Sequence, residues 1–192
     1  MEKCIEGVKW LIDCQVRNKQ ICRVGVPFSE FQKTYSWTNE FIPGYLDLVS
    51  FEDKNSALSV MASGDHTFNL ITKGITDIDT FDTNRLTEYY ALGFKRAMIL
   101  KYDYDDFILT MRYINSEYAT IDDISTLILE LLPFMDSIHA LYWKRIVDYN
   151  YKMQKEIGTD LNLFQMITLD NNFPELNCKS KFQFEELSST LD

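Results

Sequence analysis

Residues 57–84, "ALSVMASGDHTFNLITKGITDIDTFDTN", decide the fold. An apolar run ends in Ser63-Gly64-Asp65, a short amphipathic segment follows, and a second apolar run ends at Phe81-Asp82. The first run has the length and flanks of a fully buried strand, as parallel sheets require. Between Asp65 and Lys73, Phe68, Leu70 and Ile71 suit a short helix, and Gly74 stands where a helix C-terminus favours positive φ. "ITDIDTFD" reads as the second strand. A long helix follows from about Arg85 to Leu100, with Leu86, Tyr89, Tyr90, Phe94, Ala97 and Met98 on one buried face. Strand, helix, strand, helix is the pattern of a parallel pair joined by a crossover.

Outward from that unit the chain is mostly helical. Residues 2 to 19 place Ile5, Val8, Leu11, Ile12 and Val16 near helical spacing. Residues 26–48, punctuated by Pro27, Pro43 and Gly44, read as loops and short helical turns. Beyond residue 100, "DYDDFILTMRYIN" suits a short helix. "TIDDISTLILELL" opens with Thr120 and Asp123 in capping-box spacing, Pro133 interrupts it, and Phe134 to Ile157 is amphipathic up to Gly158. In the last thirty or so residues only "LFQMITLD" reads as a strand. The expectation is an α/β fold: a parallel sheet of two or three strands with a large helical portion. It forms one domain, with an entry segment (1–50), a βαβα unit (51–100), a helical segment (101–158) and an irregular tail (159–192). Such a sheet would bury one face under the Arg85–Leu100 helix and the other under the helices from Thr120 to Ile157. Its unpaired edge predicts either self-association into a homo-oligomer or a cover supplied by residues 161–173.

A formal net charge of −10 argues against nucleic acid as the main partner, because phosphate backbones are bound by clustered Lys and Arg. No apolar run is long enough to cross a bilayer, and the charged N-terminus is wrong for a secretory signal, which predicts a cytoplasmic protein. Cys4, Cys14, Cys22 and Cys178 form no Cys-x-x-Cys pair and adjoin no His, so neither a metal site nor a disulfide framework is expected.

The residues able to bind a ligand stand at the strand ends. A small-residue turn into a helix exposes free backbone N–H groups, as Ser63, Gly64 and Asp65 would, and Asp82 closes the next strand eighteen residues beyond Gly64. An acid there is placed to accept hydrogen bonds from two ribose hydroxyls. The bland alternatives are helix capping by Ser63 or Asp65 and helix entry at Asp82-Thr83-Asn84. Tyr89, Tyr90, Tyr102 and Tyr104 admit an aromatic cage for a cation, but at helical spacing they read as core and rim. His139, inside a helical run, reads as a packed or surface histidine.

The stretch "SVMASGD", with "DTFDTN" and "YYALGFKRAMI", resembles the first half of a Rossmann-type S-adenosylmethionine-dependent transferase. More narrowly, it resembles a methyltransferase-like family that includes the aminocarboxypropyl transferases of betaine-lipid synthesis. "YSWTNEF" upstream, and "YDYDDFI" and "LLPFMDSIHALYW" downstream, extend the resemblance over residues 35 to about 145. It implies that Ala62, Ser63, Gly64 and Asp65 surround the amino acid end of S-adenosylmethionine. Asp82 would hold the ribose with Thr83 and Asn84 beside it, and Thr38, Asn39 and Glu40 would lie near the cofactor mouth. Gly64 stands alone where the family has several glycines, His66 has no assigned role, and the later strands and substrate motif have no match. The function expected is methyl or aminocarboxypropyl transfer to an unspecified acceptor by a shortened relative. The alternative is a non-catalytic Rossmann-like binding or interaction module. A nicotinamide dinucleotide site fits less well, since the Gly-x-Gly-x-x-Gly spacing fails at 62 and 67.

Overall fold

The structure, a computed structural model, describes residues 1–18, 31, 33–38, 40–157, 168–169 and 187–191. The described chain is α/β and mostly helical. Strands β2 (Ser56–Val60) and β3 (Asp77–Phe81) pair in parallel, Ser56 opposite Asp77 and Val60 opposite Phe81. Helix α3 (Asp65–Ile71) joins them, and Gly74 at φ 86 ends its exit turn. The expected βαβ unit is therefore present.

Of the expected third strand, Thr168–Leu169 is the part among the described residues, and it does not join this pair. Thr168–Leu169 (β4) lies parallel to Thr34–Tyr35 (β1) in a separate two-stranded ladder. β1 falls in a segment read from sequence as loops and turns, where the short helix α2 (Ile42–Leu46) also forms. A two-residue strand carries no hydrophobic period, so nothing local announces it. The cover expected from residues 161–173 lies, apart from β4, outside the described residues.

β2 is not buried on both faces. Leu58, Val60 and Phe81 are exposed while Ser59 is buried and Ala57, Ile78 and Thr80 are half-buried. Neighbouring residues of a strand point to opposite faces. One face therefore looks to the helices and the other outward, and the continuous apolar run of β2 concealed the alternation. The helices expected over the outer face lie elsewhere: α7 (Ile121–Leu131) and α8 (Ser137–Ile157) pack on the central helical run instead.

That run is α4 (Leu86–Glu88), a π-helical stretch (Tyr89–Lys95) and α5 (Arg96–Lys101), in continuous right-handed helical conformation. Trp143 Nε1 donates to Tyr89 O at 2.8 Å, entering the run at the first π residue. Insertion of a side chain is one physical cause of a departure from the α ladder. Gly93 leaves room for this approach, since a Cβ there would stand 3.0 Å from Trp143 Nε1 and 3.1 Å from His139 Cβ. Around the run, Tyr90, Phe94, Met98, Trp143 and Ile146 form a core with α1 (Glu2–Asn18), α6 (Tyr104–Ile114), α7 and α8. α1 contributes Ile5, Val8 and Ile12, as its spacing predicts. α7 carries the predicted capping box: Thr120 Oγ1 accepts from Asp123 N at 3.1 Å, and the Asp123 carboxylate accepts from Thr120 N at 3.0 Å. Pro133 sits in a single 3₁₀ turn (Leu132–Phe134) between α7 and α8.

Among the described residues no helix is long and apolar enough to cross a membrane. Cys4 is a free, buried thiol. The other three cysteine side chains lie outside what is described.

Candidate functional site

The carboxyl ends of β2 and β3 meet in a cleft of about 530 Å³. Met61, Phe81, Asp82, Asn84, Glu88 and Leu92 are among its walls. Open parallel sheets bind ligands outside the carboxyl ends of their strands, and the cleft volume is within the range of small-molecule sites.

Asp82 joins the two strand ends. Its Oδ2 accepts from Ala62 N at 3.0 Å and its Oδ1 from Asn84 N at 2.8 Å. Both oxygens are thus occupied once, and a carboxylate offers about four acceptor positions, so each keeps one spare in a residue that lines the cleft. Asn84 serves helix entry: its Oδ1 accepts from Leu86 N at 3.1 Å, and its carbonyl accepts from Thr87 Oγ1 at 2.8 Å. Thr83 is exposed on the cleft wall.

The turn after β2 is built differently from its sequence reading. Gly64 N donates to Met61 O at 2.7 Å, closing a tight turn with Ala62 at φ 43 and Gly64 at φ 85. A Cβ on Gly64 would stand 2.9 Å from both Ala91 Cβ and Phe68 Cε2. The glycine is therefore required by the turn and by helix packing. The missing side chain faces protein, not the cleft.

Asp65 faces inward and is buried. Oδ1 accepts from Lys95 Nζ at 2.5 Å, and Oδ2 accepts from Ser63 Oγ at 2.6 Å and from Thr38 N at 2.7 Å. Lys95 is 1% exposed, and its ammonium also donates to the carbonyls of Ser36 and Ser63, both at 3.2 Å, while lying 4.1 Å from the Trp37 ring centroid. Three hydrogen bonds saturate an ammonium. A buried charge pair is tolerable only when both partners are so satisfied. Here they are. Asp65 and Lys95 clamp the β2–α3 turn to the π stretch, which fixes one bank of the cleft.

Sequence reasoning missed Lys95. The signal was available: it lies four residues after Ala91 and three before Met98, both on the buried face, so a charge there needs a partner.

Thr38 and Glu40 adjoin this clamp, the former through its backbone, while Asn39 lies outside the described residues. Glu40 pairs with His66, Oε2 standing 3.2 Å from Nε2, and the other ring nitrogen, Nδ1, is hydrogen-bonded to the Tyr45 hydroxyl. Burial pushes the Tyr45 phenol above its ordinary pKa, with smaller upward contributions from the charges of Glu40 and Asp65.

The tyrosines form no cage. Tyr90 is fully buried and donates to Ser36 O at 3.0 Å, and Tyr89 stacks on Tyr142 with centroids 4.1 Å apart. Burial, first, and the neighbouring Cys4 and Glu88 push the Tyr89 pKa up to about 12. Tyr102 and Tyr104 pack half-buried against the core. His139 is buried, Nε2 lying 3.7 Å from Glu88 Oε1 and Nδ1 3.8 Å from Asp136 Oδ2. These are ion-pair separations longer than a hydrogen bond. Among the described residues no group of His, Cys, Asp and Glu is arranged to hold a metal ion.

Comparison of the chain with models of protein families, with curated proteins and with solved structures finds no match in any of the three.

Proposed function

We propose that the cleft binds the nucleoside of S-adenosylmethionine and that the chain is a shortened, Rossmann-like transferase of methyl or aminocarboxypropyl groups. The observation that carries the reading is Asp82, set at the carboxyl end of the second parallel strand with acceptor capacity left towards a cleft of nucleoside size. The 2′- and 3′-hydroxyls would donate to its two oxygens, and Met61 and Leu92 supply apolar wall for the base. Ser63 and Gly64 are buried in the turn after Met61 and are not among the cleft walls, so they would shape the cleft and not touch the amino acid end. Asp65 would position that turn through Lys95 without touching the ligand. S-adenosylmethionine brings an already activated carbon, so the chain's contribution is to bind, to orient and to accept a proton.

Among the described residues the sheet holding β2 and β3 has two strands and none that would align an acceptor, which favours a second reading, a module that binds the nucleoside without transfer. Titration calorimetry with S-adenosylhomocysteine, S-adenosylmethionine and NAD tests the shared premise. Binding of the two sulfur nucleosides in preference to NAD is expected. Asp82→Ala is expected to weaken it by about 1.5–3 kcal/mol, the range for hydrogen bonds to a charged group. Equal binding by a folded Asp82→Ala variant, or no heat with either sulfur nucleoside, would overturn the assignment. Turnover with an acceptor then separates transferase from module.

A further inference from the structure

Tyr45, His66 and Glu40 stand in a line that neither the fold nor the clamp requires. Tyr45 comes from α2, His66 is the second residue of α3, and Glu40 lies in the segment before α2. The phenol of Tyr45 is bonded to His66 Nδ1, and the two rings stack at 5.8 Å with 23° between their planes. Beyond the imidazole, Glu40 Oε2 lies 3.2 Å from Nε2.

The chemistry of the three groups suits one arrangement of the protons. The arrangement corresponds to the tautomer with the ring hydrogen on Nε2, the nitrogen 3.2 Å from a carboxylate that can only accept. Nδ1 then presents its lone pair, and the Tyr45 hydroxyl donates to it. In that tautomer the imidazole faces an acid on one side and a hydroxyl donor on the other. This is the logic of a nucleophile, a base and an orienting acid, with a phenol in the first position. His66 is mostly buried while Tyr45 is 40% exposed, so the relay ends at a phenol that solvent reaches.

We propose that Tyr45, His66 and Glu40 form a proton relay in which Tyr45 takes the proton from an acceptor hydroxyl or amine. As the acceptor oxygen or nitrogen forms its bond to an electrophilic carbon, the leaving group keeps the electron pair of the bond that breaks. The acceptor's proton passes to the Tyr45 oxygen while the Tyr45 hydrogen passes to Nδ1. The proton ends on His66 as an imidazolium facing the Glu40 carboxylate, and Tyr45 is again a neutral phenol. The role in transfer rests on the nucleoside reading of the cleft. The reactivity of the relay does not, and it is tested without cofactor.

The probe is N-acetylimidazole, with acetylation followed residue by residue by mass spectrometry of peptides. The Tyr45 oxygen bonds to the acetyl carbon, the imidazole anion leaves with the electron pair and takes a proton from water, and the Tyr45 proton goes to His66. Tyr118, 75% exposed, and Tyr35, 48% exposed, are baselines within the same molecule. Lower exposure and a raised phenol pKa make a merely clamped Tyr45 slower than Tyr118. The relay instead makes it faster, by about tenfold or more, the low end of a base contribution. His66→Gln is expected to drop Tyr45 below Tyr118 while the rates of Tyr118 and Tyr35 and the circular dichroism stay at parent values. Glu40→Gln, at an exposed position, covers the case in which His66→Gln does not fold, and is expected to slow Tyr45 alone. A parent Tyr45 slower than Tyr118, or a Tyr45 rate unchanged in the folded variants, would overturn the relay. Neither result bears on nucleoside binding, which calorimetry reads separately.

Discussion

The two sides of the central helical run are built on opposite terms. Towards α7 and α8 it meets a largely apolar core in which Phe94, Trp143, Ile146 and Ile128 are essentially unexposed. Towards β2 and β3 it meets a polar joint, with Lys95, Asp65, Ser63 and Ser36 buried and bonded to one another. The outer face of the strand pair is left to Leu58, Val60 and Phe81, all exposed. Apolar packing tolerates exchange of like-sized groups, whereas a buried charge pair requires both partners. The helical side therefore sets stability in bulk, and the sheet side sets one geometry at the cleft.

The largest expected effect comes from breaking the joint. Lys95→Met preserves most of the side chain's volume but leaves the Asp65 carboxylate buried without its counter-charge. A loss of about 3–5 kcal/mol is expected in denaturant unfolding, as for other broken buried pairs. Adding Asp65→Asn removes the stranded charge, so the double variant should regain a substantial part of that loss. If Lys95→Met costs no more than a surface lysine, the two sides are not coupled through this pair.

Next is the turn. Gly64→Ala meets a left-handed backbone penalty of about 1–2 kcal/mol and then the close contacts with Ala91 and Phe68, for a total of about 2–4 kcal/mol. Gly74 has nearly the same φ but nothing within 4 Å of its missing Cβ. Gly74→Ala should therefore show the backbone penalty alone, and the difference between the two variants reads the packing of the turn on the π stretch. Equal losses would remove the packing role of Gly64.

The parts of this arrangement that were legible in the sequence are those with local causes. The capping box needs only Thr120 and Asp123 three residues apart, and Gly74 needs only the end of an apolar period. Strands β2 and β3 were also legible, but their burial was not. Residues 57–62 are apolar at nearly every position, and what covers each face is decided by elements far away in sequence. The Asp65–Lys95 pair spans 30 residues and the β1–β4 ladder joins residues 34 and 168, so no periodicity reports either. The π stretch compounds this, because an i→i+5 ladder shifts the helical phase within the run. At the candidate site, Asp82 was found at the strand end where it was sought, while Gly64 and Asp65 proved to face protein.

A smaller effect belongs to the helical side and depends on pH. Hydrogen bonds to Asp123 from the Thr120 hydroxyl, then the Tyr113 hydroxyl and Thr120 N, lower its carboxyl pKa below the ordinary 3.8. A carboxyl depressed in the folded state contributes stability that is fully present above its unfolded pKa and is lost as pH falls through the folded value. Thr120→Ala removes the largest contribution. The gap between parent and variant unfolding midpoints should be constant at neutral pH and narrow as pH drops below about 4. A gap that widens on acidification would mean the cap is not held by an ionised Asp123.

The smallest expected effect tests the outer face of the strands. Leu58 is 72% exposed, and on β3 it stands opposite Asp79, which is also exposed. Leu58→Ser removes apolar area that already touches water, so it forfeits little of the roughly 25 cal/mol per Å² that burial provides. Serine in a strand costs a few tenths of a kcal/mol through weaker β preference, and exposed substitutions stay within about 0.5 kcal/mol. Compared with the core substitution Ile128→Ala, at a residue with no exposure, which should cost about 2–5 kcal/mol, the contrast is close to tenfold. A Leu58→Ser loss above about 1 kcal/mol would show that this face is covered in solution, since an open face offers no packing to lose. The strand run would then be buried on both faces, as its unbroken apolar sequence first suggested, and the contrast between the two sides of the molecule would close.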